Sequence, residues 1–175
     1  MADLVEMTID SIRVHTRSGQ HVVILKQKSA ERYLPIWIGI FEAQAIAMRI
    51  TGATPERPIT HDLLANVLGA VDASIERIIV TALDEEIFYA RILATVDGRS
   101  MEIDSRPSDA IAVAVRVGAG IYVAGEVLER AGVIPDADRD SDDEPKTEEE
   151  KQRMDQVRHW VNELNVPDLD QRSES

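Results

Sequence analysis

Two short stretches of the chain carry residue types that could do chemistry on a phosphate. Residues 56–62 read Glu56-Arg57-Pro58-Ile59-Thr60-His61-Asp62, and residues 105–109 read Ser105-Arg106-Pro107-Ser108-Asp109. Each sets an arginine before a proline and an aspartate at the mouth of an apolar run. A guanidinium fork matches the oxygens of phosphate or carboxylate, and an imidazole beside a carboxylate can move a proton. If the two stretches meet in space, Arg57, His61, Asp62, Arg106, Ser108 and Asp109 would face one anion. A plainer reading stands beside this one. Thr60 and Ser108 are placed to cap helices, Asp62 and Asp109 to offset the positive end of the helix dipole, and the prolines to restrict the chain on entry.

Carboxylates supply a second thread. Glu102 and Asp104 are two apart on an expected strand and so share a face, with Asp109 a little further along. Mg²⁺ or Mn²⁺ bound through one or two carboxylates and substrate phosphate would suit such a set, although a solvated strand face would look the same. Glu42, near the start of an expected helix, is a weaker addition.

Those residues need elements to position them. Residues 5–38 alternate or run apolar in three segments separated by turn signals, which predicts antiparallel strands; Pro35 assigns the third to an edge or a bulge. Helical spacing over 40–51 puts Phe41, Ala45 and Met48 on one face, with Ile46 and Ile50 alongside. From His61 to about Leu68, it predicts a buried stripe of Leu63, Leu64, Val67 and Leu68. Three strands follow within residues 74–104, the last two joined at Asp97-Gly98, a two-residue hairpin signal. The run Ser108–Gly118 is apolar on nearly every side and should be the most buried helix; a short strand and helix end the core. The pattern predicts an α+β fold, a mixed and largely antiparallel β-sheet packed against helices.

Charge divides the chain. Of the formal net charge of −13, residues 1–133 contribute −5 and residues 134–175 contribute −8. The expected organisation is a domain over 1–134, an acidic flexible linker over 135–146, an amphipathic helix over 147–166 and a tail over 167–175. Met154, Val157, Trp160, Val161 and Leu164 give that helix an apolar stripe for its own domain or a protein partner. Cysteine is absent, which excludes disulfides and thiol chemistry. No signal peptide or membrane-length apolar run is present, so a cytoplasmic protein is expected, with no membrane partner. No glycine-rich phosphate loop, nucleophile elbow or histidine-rich metal set appears either.

Five segments in order, RYLPIWIGIFEAQAIA (32–47), RPITHDLL (57–64), FYARI (88–92), DSRPSDAIAVAVRVGAGIYV (104–123) and VLERAGV (127–133), resemble the bifunctional nuclease domain family of bacteria and plants. The resemblance implies DNase and RNase activity on DNA and RNA, a compact α/β domain and a homo-oligomer. The closing VPDLD of the tail is similar to the carboxy-terminal helix of bacterial members. The expected chemistry is metal-assisted phosphodiester hydrolysis. His61, Asp62, Asp104 and Asp109 form its catalytic set, Arg57, Arg106 and Ser108 hold substrate, and Asp104, Asp109 and Glu102 hold the ion. The alternative is a non-catalytic nucleotide- or protein-binding module whose acidic tail masks its own pocket or recruits a partner.

Overall fold

The alternating first third of the chain folds into a three-strand meander. In the computed structural model, which describes residues 3–15 and 18–135, β1 spans Leu4–Val14, β2 His21–Gln27 and β3 Tyr33–Ile38. β1 and β2 pair antiparallel, with an irregularity between Ile9 and Ser11, and β3 pairs antiparallel with β2. Pro35 lies on β3, an edge strand of the sheet, where its missing N–H costs least.

After helices α1 (Ile40–Ile50) and α2 (Thr60–Ala70), a second meander forms from β4 (Ser74–Asp84), β5 (Ile87–Val96) and β6 (Arg99–Ser105). Asp97 and Gly98, both at positive φ (50° and 73°), make the tight β5–β6 turn that the Asp-Gly pair predicts. Helix α3 (Pro107–Val117) then crosses back and delivers β7 (Gly120–Ala124) between the two meanders. β7 is antiparallel to β1 and parallel to β4, giving a seven-stranded sheet of order β3-β2-β1-β7-β4-β5-β6. Helix α4 (Gly125–Ala131) closes the described chain. The α+β expectation holds, with one parallel pair in an otherwise antiparallel sheet.

Helix α3 is the centre of the helical layer. Ala110 through Ala114 are all buried, and the three alanines in that run bring its backbone close to Ile78, Val80, Ala90 and Ile92 of β4 and β5. Gly118, at φ 73°, ends the helix in the left-handed conformation. On its other sides α3 contacts α1 and α2.

Two expectations about buried faces are corrected. Helix α2 has no buried residue, and Leu63, Leu64 and Val67 are exposed. It packs on α3, itself an outer layer on the sheet, so among the described residues nothing covers its far side. On α1 the buried residues are Ala43, Ala45 and Ile46, whereas Phe41 is 78% exposed. Helical periodicity identifies an apolar face without identifying what covers it.

No helix of the described residues is long and apolar enough to cross a membrane. The chain up to Pro135 forms one compact unit. Beyond Pro135, the acidic linker, the helix expected over 147–166 and the tail lie outside the described residues.

Candidate active site

Three helices begin at one place. Arg106 is the N-cap of α3, with Pro107 at the first helical position and Asp109 two residues on. The guanidinium of Arg106 curls over its own helix start, Nε donating to Asp109 Oδ2 (2.7 Å) and Nη2 to Oδ1 (3.1 Å). The same Nη2 donates to Glu42 Oε1 (2.8 Å) in the first turn of α1. From the first turn of α2, His61 Nε2 donates to Asp109 Oδ1 (3.0 Å). An acid thus stands at the third position of each helix, where it meets the positive end of the dipole, and Arg106 and His61 bridge the helices.

Local backbone sets this geometry. Gly39, the extended N-cap of α1, lets the Glu42 carboxylate fold back over it; a Cβ at position 39 would overlap Glu42 Oε2. The His61 side chain is 11% exposed and that of Glu42 15%, whereas Arg106 is 65% exposed. The cluster therefore shows solvent a cation over two sheltered acids and an imidazole. Desolvation would raise the Asp109 carboxyl, but the Arg106 guanidinium and then His61 outweigh it and hold the group below the usual carboxylate range. Arg106 is raised in turn by Asp109 and then Glu42.

One residue along α2, Asp62 faces a different partner. Its Oδ1 accepts from Arg116 Nε (2.6 Å) and its Oδ2 from the Ile59 backbone N–H (3.0 Å). Arg116 is nearly buried, 6% exposed, and also donates to the carbonyls of Ala112 (2.7 Å) and Ala45 (3.1 Å), tying α1, α2 and α3 together. For Asp62, too, burial pushes upward, while the Ile59 amide and then Arg116 pull the carboxyl below its ordinary value. The N-caps are Ile59 and Arg106, so Thr60 and Ser108 lie one and two residues inside the helices, not in the capping positions their types suggest.

Against this geometry, a family model described as the bifunctional nuclease domain matches residues 23–136. Two uncharacterized proteins of Mycobacterium tuberculosis, from strains CDC 1551 / Oshkosh and H37Rv, are each 37% identical over 165 residues, 94% of this chain and 97% of theirs. The chain belongs to the bifunctional nuclease domain family. Glu42, His61, Asp62, Arg106, Asp109 and Arg116 all lie inside the matched span, whereas β1 precedes it.

Within this bifunctional nuclease domain the sequence-derived residues divide. His61, Arg106 and Asp109 come together, with Asp62 adjoining them. Asp104 and Glu102 go elsewhere. They pair with Arg91 and Leu93, which alternate with the buried Ala90 and Ile92, so both acids lie on the sheet face opposite the one that α3 covers. Asp104 is 73% exposed and its carboxylate pairs with Arg91 (2.8 Å). Among the described residues no group of three or more His, Asp or Glu side chains is placed to hold a metal ion, which separates Glu102, Asp104 and Asp109 as a ligand set. Arg57 is exposed in the link before α2, and Ser108 is buried beneath the first turn of α3. Arg116 stands outside the sequence-derived set. A lone charge seven residues beyond Asp109 in an apolar helix, hence on the same face, is the signal that points to it.

Proposed function

We propose that this bifunctional nuclease domain hydrolyses phosphodiester bonds of DNA and RNA where α1, α2 and α3 begin. The observation that carries the reading is the sheltered His61–Asp109 pair beneath the exposed Arg106 guanidinium. Asp109 fixes the imidazole through Nε2, which leaves Nδ1 as the basic nitrogen. In the reaction a water oxygen bonds to phosphorus while His61 takes the water's proton. The bond from phosphorus to the departing sugar oxygen breaks, that oxygen takes a proton from solvent water as it leaves, and His61 returns its proton to solvent. Arg106 neutralises the phosphate, which takes over the guanidinium arm that Glu42 holds in the free protein.

The Mg²⁺ or Mn²⁺ expected of such hydrolysis requires one or two protein carboxylates beside substrate phosphate, a role that Asp109 and Glu42 suit better than Asp104 on the far sheet face. The test is cleavage of labelled single-stranded DNA and RNA by homogeneous protein with Mg²⁺, Mn²⁺ or chelator, beside His61→Ala and Asp109→Asn. Cleavage lost in both variants supports the assignment. Cleavage that copurifies equally with them, or none from the wild type, overturns it. The exposed apolar side chains of α2 support self-association of the domain as part of the same reading.

A further inference from the structure

A half-open cavity of about 230 Å³ lies beside the candidate active site, bounded by the end of α1, the link 52–59, the start of α2 and the end of α3. Its walls are Met48, Ala53, Pro55, Pro58 and Ile59, and the ion pair of Asp62 with the nearly buried Arg116 also lines it. Arg49, also part of the lining, is exposed and has no ion-pair partner among the described residues; its guanidinium donates to the carbonyls of Val115 (3.3 Å) and Arg116 (3.4 Å) at the end of α3. Apolar walls, the Asp62 carboxylate and a second cation, Arg49, that lies close enough to act on Asp62 electrostatically without forming an ion pair define the chemistry of the space.

We infer that this cavity holds one nucleobase of the polynucleotide, with Arg49 on the adjoining phosphate. Proline rings and a methionine thioether offer a planar ring apolar contact. Asp62 reads the edge. Each of its oxygens accepts one hydrogen bond within the fold, Oδ1 from Arg116 and Oδ2 from Ile59, and each retains a lone pair. A half-buried carboxylate with spare acceptor capacity favours the exocyclic amino group of adenine, cytosine or guanine over uracil, which offers only its ring N3–H. The cavity is also placed to serve hydrolysis. His61 and Asp62 are consecutive, and their partners on α3, Asp109 and Arg116, are seven residues or roughly 10 Å apart along one helix face. A strand with its phosphate on Arg106 would thus run along α3 with a neighbouring base in the cavity. The inference rests on the nuclease reading for the polymer, but binding of a monomer is measurable without cleavage.

The test titrates full-length protein with adenosine 5′-monophosphate, uridine 5′-monophosphate, ribose 5-phosphate and inorganic phosphate while backbone amide resonances are followed. Adenosine monophosphate is expected to shift the amides of residues 52–54 and 59 with saturation, and to bind at least about fivefold more tightly than the uridine compound. Ala53→Trp, which fills the cavity, should abolish the shifts, and Arg49→Gln should weaken binding about tenfold. No shift with either nucleotide, or equal shifts with phosphate alone, overturns the assignment; equal affinity for the uridine compound removes Asp62 as the base reader. Cleavage without monomer binding leaves hydrolysis standing and removes the base site, and monomer binding without cleavage does the reverse.

Discussion

Asp109 accepts three of the hydrogen bonds that hold the helix starts together, two from Arg106 and one from His61. Its isosteric replacement, Asp109→Asn, keeps the shape and removes the charge that orients and stabilises the imidazolium. The expected outcome is a loss in kcat of about 10²-fold or more with a smaller change in KM, read by steady-state cleavage. The same residue sets an acid limit on stability. Its folded carboxyl lies below its unfolded value, so the stabilisation is complete above the ordinary carboxylate range and disappears as pH falls through the folded value. Thermal melts of the wild type should therefore fall steeply below about pH 4, and those of Asp109→Asn should start lower at neutrality and fall less. Gly39 offers a subtler probe. In Gly39→Ala the new methyl displaces the Glu42 carboxylate and breaks its bond to Arg106. Because Glu42 occupies the arm that phosphate needs, binding of substrate to the variant, measured in chelator, should tighten or hold while the melting temperature falls by a few degrees. A weaker affinity would show instead that Glu42 assists substrate binding.

At the scale of elements, the paired ends of α2 and α3 act as a brace. Arg116 is sheltered from water and satisfied by Asp62 and two carbonyls, so Asp62→Ala strands one face of a guanidinium in the helical layer. It should destabilise the domain by about 1–3 kcal/mol in urea unfolding, whereas Asp104→Ala, whose ion pair with Arg91 is exposed, should stay within about 1 kcal/mol of wild type. A comparable loss from both would refute the brace. These elements also show what sequence makes legible. The Arg-Pro stretches announce helix starts because local chemistry dictates them, and the convergence of His61, Arg106 and Asp109 follows once the helices share a layer. Which side of the sheet receives Asp104 depends on pairing register with β5, a long-range choice that the spacing of Glu102, Asp104 and Asp109 does not contain. Arg116 escaped for a related reason: its partner is 54 residues away in the chain.

For the whole molecule, two meanders, the edge position of β3 and the burial of α3 can be read from alternation, proline and an uninterrupted apolar run. The insertion of β7 between β1 and β4 cannot, because it is decided where α3 packs against the finished sheet. The same logic explains α2. Its apolar face is written in the sequence, but covering that face takes a surface that the described residues do not provide. Leu63, Leu64, Val67 and Val71 are all exposed, a contiguous set on and just beyond one helix that an isolated soluble domain seldom presents to water. Self-association through this face, proposed above, would supply that cover. In sedimentation equilibrium the wild-type chain should run heavier than a monomer in a concentration-dependent way, and Leu64→Glu with Val67→Glu should shift it to a monomer. The far-ultraviolet spectrum should not change, since neither side chain contributes to the core. A wild type that stays monomeric across the range would free the α2 face for another partner and remove the second copy from the functional unit.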